Sequence, residues 1–280
     1  MDEPDPAVQP TPDAMPDQGA EQGADPDQER RPGQRSDPGQ DWRRWLPAEV
    51  ALVLAASLGA SAVYSVVSLT AKLTASGSLA SQSAVLNRSQ APGRPWLDLT
   101  YQLLGIGFDL VPALLAMHLL SRQPGNATGL LGLDLRRPWR DLGLAAGLAA
   151  VIGIPGLGLY LIAHAAGLNA TVVPAALPHA WWSVPVLVLS AARNGILEEV
   201  VVVGYLVTRL RQTGAPVAAV LAASAVLRGS YHLYQGWGGF AGNVVMGVVF
   251  GLVYLRWRRV MPLVIAHTAM NASNWARPTA

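Results

Sequence analysis

Two adjacent glutamates, Glu198 and Glu199, lie inside an apolar stretch that is long enough to cross a membrane. They are the only acidic residues after Asp141. An ionised side chain at bilayer depth costs about 3 kcal/mol on insertion scales, so it usually faces a partner or a water-filled cavity. A carboxylate held beside such a cavity can act as a general base on water. These two carboxylates are therefore the first candidates for chemistry in the chain.

Three more polar side chains occur in the apolar segments that follow. His232 lies near the end of the next apolar segment, and His267 lies in the last one, four residues before Asn271. Residues four apart share one face of a helix, so His267 and Asn271 can point at the same group. Such a pair can hold a water, an oxyanion or a metal. Alternatively, it can form two hydrogen bonds between membrane helices.

Two arginines are close enough in sequence to support the carboxylates. Arg228 lies one helical turn before His232, and Arg193 lies just over one turn before Glu198. A buried arginine must find a partner or extend to the interface. Our hypothesis is that Arg228 pairs with Glu199 and leaves Glu198 as the base. The alternative is that both carboxylates are structural and are bonded to Arg193, Arg228 or Asn194.

The composition indicates a polytopic membrane protein. Of the 280 residues, 51% are hydrophobic and 14% are charged, which is too apolar for an ordinary soluble domain. The apolar windows predict an all-α transmembrane helical bundle of about seven spans. The predicted spans are Leu46–Leu69, Leu99–Leu120, Leu142–Ala166, Trp182–Val207, Ala215–Tyr234, Phe240–Leu255 and Pro262–Trp275. The chain lacks a glycine-rich nucleotide loop and an aromatic-basic surface, so no nucleic acid partner is expected.

The chain divides into three parts by composition. Residues 1–41 are acidic and rich in proline, which predicts a disordered arm. Residues 42–183 hold the N-terminal transmembrane helices, and residues 184–275 hold the polar side chains described above. Arginines flank alternate ends of the predicted spans, which predicts a multi-pass protein of the cell membrane with a cytoplasmic N-terminus.

The ordered set of polar residues resembles the CPBP family. This family comprises CAAX-prenyl endopeptidases and bacteriocin-processing, Abi-like intramembrane proteases. The resemblance covers roughly Val184 to Ser273 and rests on Glu198-Glu199, His232 and His267-x-x-x-Asn271. It implies an intramembrane endopeptidase whose partners are the bilayer and a peptide or membrane-anchored protein substrate. It further implies that a glutamate activates water, while the histidines and the asparagine orient that water and stabilise the oxyanion.

The chain departs from the family pattern at two positions. The family usually has arginine four residues after the second glutamate, where this chain has Val203. It usually has an aromatic residue four before the first histidine, where this chain has Arg228. The arginine has either moved to the neighbouring helix and kept its electrostatic role, or the site has lost activity. An inactive immunity or scaffolding protein therefore stays open as an alternative, as does a proton-coupled transporter that uses Asp109.

A cofactor and one question of depth also stay open. Family members are often called metalloproteases, and Glu198, His232 and His267 are residue types that bind zinc, although a glutamate–water mechanism needs no metal. A rise of about 1.5 Å per helical residue places Glu198 toward the cytoplasmic side of its predicted span. The same count places His232 near the opposite end of the next span. The two side chains meet only if the predicted span limits are wrong, or if the fifth helix is tilted or enters a cavity.

Overall fold

The computed structural model describes residues 42–123 and 126–273. This part of the chain is 76% helical with almost no sheet, which confirms the all-α fold class predicted from the sequence. The predicted disordered arm, residues 1–41, lies outside the described residues, as does the end of the last predicted span beyond Ser273.

Eleven α-helices follow one another in the described part of the chain. The first six are α1 (Leu46–Ala55), α2 (Leu58–Thr74), α3 (Pro95–Asp109), α4 (Val111–Ser121), α5 (Ala127–Leu131) and α6 (Pro138–Ala165). The others are α7 (Ser183–Glu198), α8 (Leu206–Gln212), α9 (Val217–Ser230), α10 (Trp237–Trp257) and α11 (Met261–Ser273). A π-helix, Glu199–Tyr205, joins α7 to α8, and short 3₁₀ turns occupy Trp42–Trp45, Leu79–Ser81 and Leu233–Gln235. Two three-residue strands, β1 (Ser83–Val85) and β2 (Thr171–Val173), pair in parallel.

Fewer helices than predicted are long and apolar enough to cross a membrane by length and composition. Within the described residues there are three of them, Pro95–Ser121, Pro138–Ala165 and Trp237–Trp257. A fourth is added if Arg43–Ala55 and Leu58–Thr74, which meet at a bend of 53°, form one span. The predicted number of seven is therefore not confirmed. The helices α9 and α11 have 14 and 13 residues, so at about 1.5 Å per residue they fall short of a hydrocarbon core of about 30 Å.

The helices that carry the polar residues pack closely because glycines face their neighbours. A Cβ on Gly195 of α7 would lie 2.7 Å from Thr268 Oγ1 of α11. A Cβ on Gly247 of α10 would lie 2.7 Å from Ala225 Cα of α9. Small residues allow such close approach between membrane helices. The contacts bring the helices that bear Glu198, Arg228 and His267 together around the π-helix.

An ion-pair network joins the start of α6 to the start of α11. Arg259 Nη2 lies 2.5 Å from Asp141 Oδ2, and its Nε donates to Asp141 Oδ1 over 2.9 Å. The same Nη2 lies 3.0 Å from Asp134 Oδ1. The backbone N–H of Arg136 and the side chain of Arg259 hold the pKa of Asp134 below its usual value. Asp141 is 1% exposed, so Arg259 neutralises a buried carboxylate.

Removing this arginine is expected to destabilise the bundle. Arg259→Ala leaves Asp141 buried without its cation, and breaking such a pair typically costs about 3 kcal/mol. The free energy of unfolding in detergent micelles, measured by denaturant titration, is the readout. Arg256→Ala is the matched control because Arg256 is exposed and contacts the ring of Trp257. Equal losses in the two variants would contradict a specific role for the network.

Candidate active site

The predicted site residues surround one cavity of about 380 Å³. Glu198, His232, His267 and Asn271 all line it. Glu199 does not line the cavity. It is fully buried, at 0% exposure, and contacts Arg228 and His267. The structure therefore brings all five residues together but gives the two glutamates different positions.

The junction between α7 and the π-helix separates the two glutamates. Glu198 is the last residue of α7, and Glu199 is the first residue of the π-helix. Successive residues of a helix point about 100° apart, so one glutamate faces the cavity while the other enters the bundle. Short π-helical segments are frequent at functional sites. Val203, where the family usually has arginine, lies in the same π-helix and is 0% exposed, so it contributes apolar packing.

Arg228 reaches both carboxylates from the neighbouring helix α9. Its Nη2 donates to Glu199 Oε1 over 2.7 Å, while its Nη1 lies 3.5 Å from Glu198 Oε2. The arginine is 0% exposed, and its guanidinium lies 5.6 Å from the ring centroid of Phe250. The pair with Glu199 is the one hypothesised from the sequence. The longer contact with Glu198, which belongs to the alternative considered from the sequence, places the cation beside the second carboxylate as well.

Tyr231 is a site residue that the sequence analysis missed. Its hydroxyl donates to Glu198 Oε2 over 2.7 Å, and its backbone carbonyl accepts from Ser65 Oγ of α2 over 2.9 Å. Among the described residues, no group bonds the other carboxylate oxygen, Glu198 Oε1. Tyr231 therefore fixes the orientation of Glu198 and leaves one oxygen available. Its position directly before His232, at the end of α9, was the signal available in the sequence.

His232 lines the same cavity as Glu198 because the chain leaves and returns over the same number of helical residues. Seven residues of π-helix and seven of α8 lead away from Glu198, and the 14 residues of α9 lead back. His232 then lies in the turn that follows Ser230. The depth mismatch expected from the sequence came from the predicted span limits: the fourth predicted span ends at Val207, whereas α8 continues to Gln212, and the fifth extends to Tyr234, whereas α9 ends at Ser230.

One hydrogen bond sets the tautomer of His232. Its Nδ1 lies 3.0 Å from the carbonyl oxygen of Arg228. A carbonyl can only accept, so Nδ1 carries the proton and Nε2 of the neutral ring is an acceptor. An acceptor nitrogen beside the cavity can hold a water through one of its O–H groups.

His267 is held by Glu199 rather than by Glu198. Its Nδ1 lies 2.7 Å from Glu199 Oε1, the oxygen that also accepts from Arg228. Its Nε2 lies 4.0 Å from Glu198 Oε2, at the cavity side. Asn271 follows one helical turn later and lines the same cavity. The two side chains of α11 therefore face the space in front of Glu198.

Arg193 has a different partner from the one considered in the sequence analysis. It lines the cavity, but it bonds Asp109 of α3 and neither of the glutamates. The side chain of Asp109 is 49% exposed, so this carboxylate does not belong to the buried cluster. Any support that Arg193 gives the site comes from its place in the cavity wall.

Zinc binding by Glu198, His232 and His267 stays a prediction. In residues 42–123 and 126–273, no group of three or more His, Cys, Asp or Glu side chains is placed to hold a metal ion. The guanidinium of Arg228 instead supplies positive charge beside both carboxylates. This positive charge does not favour a dication at the same place, and the proposed mechanism uses no metal.

The fold and the site together define a class of protein. A buried carboxylate that faces a polar cavity within a bundle of membrane helices is suited to activate water. Residues 180–273 match the family model of the type II CAAX prenyl endopeptidase, Rce1-like. The matched segment contains Glu198, Glu199, His232, His267 and Asn271, and the match confirms the resemblance found in the sequence. No curated protein and no solved structure gives a significant match to the chain.

Proposed function

We propose that this protein is an intramembrane endopeptidase that uses Glu198 as the general base on water. The observation that carries the proposal is the asymmetry of the Glu198 carboxylate. One oxygen accepts from Tyr231, while the other has no partner among the described residues and belongs to a side chain that lines the cavity. A base with one fixed and one available oxygen is already oriented for proton transfer, so little reorganisation precedes the reaction.

The first chemical step is the attack of water on the scissile carbonyl carbon. The water donates one O–H to Glu198 Oε1 and the other to Nε2 of His232. As the new C–O bond forms, Glu198 takes the proton, and the carbonyl π electrons move onto oxygen. The tetrahedral oxyanion is stabilised by the side-chain amide of Asn271 and by His267 Nε2 when that nitrogen carries a proton. Collapse of the intermediate breaks the C–N bond, and Glu198 returns its proton to the leaving amine.

Glu199 and Arg228 position the reacting groups without touching the substrate. Glu199 holds Nδ1 of His267 at 2.7 Å, which directs the opposite nitrogen toward the cavity. Arg228 offsets the negative charge of two adjacent carboxylates in a buried site. In this proposal Arg228 supplies the positive charge that family members usually have at the position of Val203.

The substrate that follows from this site is a peptide close to the membrane. The family description names CAAX prenyl endopeptidases, so a quenched fluorogenic peptide that ends in a prenylated CAAX sequence is the first probe. The same peptide without the prenyl group is the second. The protein is proposed to span the cell membrane several times with a cytoplasmic N-terminus.

The test is hydrolysis of these two peptides by the purified protein in liposomes, with products identified by mass spectrometry. Cleavage of an internal peptide bond in either probe supports the proposal. Absence of cleavage of both, with a protein that retains its thermal transition, would leave the non-enzymatic alternative. One observation favours that second candidate, namely the 3.5 Å contact of Arg228 with Glu198, which holds part of the base in an ion pair. The transporter alternative gains no support from Asp109, which bonds Arg193.

Peptidase activity is expected to persist after treatment with EDTA or 1,10-phenanthroline. The reason is that the guanidinium of Arg228 lies beside both carboxylates, where a divalent metal ion would have to bind. The measurement is kcat/KM before and after chelation and dialysis, with a zinc peptidase as the positive control for the chelator. Loss of activity on chelation and its return on addition of Zn²⁺ would contradict the metal-free mechanism.

A further inference from the structure

The small sheet formed by β1 and β2 ends at the mouth of the cavity. Its register pairs Ser83 with Thr171 and Val85 with Val173. The two residues that directly follow β1, Leu86 and Asn87, line the cavity that holds Glu198. The sheet is thus continuous with the cavity wall.

The outer edge of β1 carries backbone groups without partners at Val85. In a parallel pair, alternate residues of a strand bond to the neighbour, and those between them point to the other edge. Thr171 N–H donates to the carbonyl of Gln82, and Leu86 N–H donates to the carbonyl of Val173. The N–H and C=O of Val85 therefore point away from β2, and among the described residues nothing bonds either of them.

The outer edge of β1 is also bonded to α2 at one residue. The carbonyl of Ser83, on the same edge as Val85, accepts from Lys72 Nζ near the end of α2 over 2.9 Å. Further along α2, Ser61 and Tyr64 line the cavity. The helix α2 and the segment that follows β1 therefore both contribute residues to the cavity wall.

We infer that the outer edge of β1 binds the backbone of the substrate as an added strand, with paired hydrogen bonds at Val85. This inference rests on the proposed peptidase function and gives it a mode of substrate binding. Extended peptides commonly bind by adding a strand to an exposed sheet edge, where the backbone hydrogen bonds do not depend on sequence. A strand advances about 3.3 Å per residue, so a peptide paired at Val85 reaches the level of Asn87 within about 7 Å. A substrate peptide bound along this edge therefore extends into the cavity.

The test combines a change in the protein with a change in the peptide. Val85→Pro removes the outward N–H but none of the hydrogen bonds between β1 and β2, and proline is tolerated at such an edge position. The probe is the fluorogenic CAAX-type peptide with one peptide bond at a time replaced by an (E)-alkene, which removes the carbonyl that would accept from the Val85 N–H. With the wild-type protein, one position outside the scissile bond is expected to raise KM about tenfold on this replacement, as loss of a hydrogen bond does.

The expected result in the variants is a loss of coupling. In Val85→Pro, KM for the unmodified peptide rises about tenfold, and alkene replacement at the sensitive position adds no further increase. In Val85→Ala, which keeps the N–H, the penalty of alkene replacement remains. A full penalty in Val85→Pro, or no sensitive position in the wild type, would overturn the inference. Either result requires that the wild-type protein cleaves the peptide, whereas failure of the proposed function shows as no cleavage at all.

Discussion

Glu198→Gln is expected to lower kcat/KM for peptide hydrolysis by about 100- to 10,000-fold, the usual contribution of a positioned general base. The amide has the size of the carboxylate, and its oxygen can still accept from the hydroxyl of Tyr231. It cannot take a proton from water, however, so the first chemical step loses its base. The measurement is initial-rate kinetics in detergent micelles, with the thermal transition recorded in parallel to show that the variant is folded.

Asp109→Asn is the matched control for this variant. Like Glu198→Gln it exchanges a carboxylate for an amide, but its side chain is half-exposed and lies outside the buried cluster. Activity within a few-fold of wild type is expected. A Glu198→Gln variant as active as this control would contradict the assignment of the base.

Arg228→Ala is expected to have the largest effect on stability, about 3 to 5 kcal/mol, because it leaves buried carboxylates without a cation. Arg228 and Glu199 are both 0% exposed and are 2.7 Å apart. The second substitution Glu199→Gln removes one of the stranded charges, so the double variant should recover part of the loss. The measurement is the free energy of unfolding of the wild type, both single variants and the double variant in the same detergent.

The control is Arg211→Ala, which removes an exposed arginine that donates to the carbonyl of Ala215. It should change the free energy of unfolding by less than about 1 kcal/mol, as is usual for surface positions. Strictly additive effects of Arg228→Ala and Glu199→Gln would mean that the two residues are not coupled. The relocated arginine would then have no role in holding the cluster.

The bilayer explains why the main site residues could be predicted from the sequence. Ionisable and amide side chains are costly in apolar segments, so Glu198, Glu199, His232, His267 and Asn271 were conspicuous there. The pairing of Arg228 with Glu199 could be hypothesised for the same reason, because a buried arginine needs an anion. The helical fold class followed from the apolar composition of the chain.

Helix lengths and distant partners could not be predicted in this way. Hydropathy treats any long apolar window as a span, so it did not show that α9 ends at Ser230 and turns His232 toward Glu198. Asp109 and Arg193 are 84 residues apart, and only the packing of α3 on α7 makes them partners. Tyr231 was missed because a tyrosine near a membrane interface needs no special explanation, and its bond to Glu198 depends on the turn that follows α9.

Hydrolysis in water enriched in ¹⁸O tests the central claim most directly. The wild-type protein in liposomes is mixed with the fluorogenic peptide, with the protein in molar excess. The products and the intact protein are then analysed by mass spectrometry. The account predicts one ¹⁸O atom in the new carboxylate of the cleaved peptide, no peptide adduct on the protein, and no product from Glu198→Gln in the same time. A peptide–protein adduct, or labelled product formed by Glu198→Gln at the wild-type rate, would contradict it.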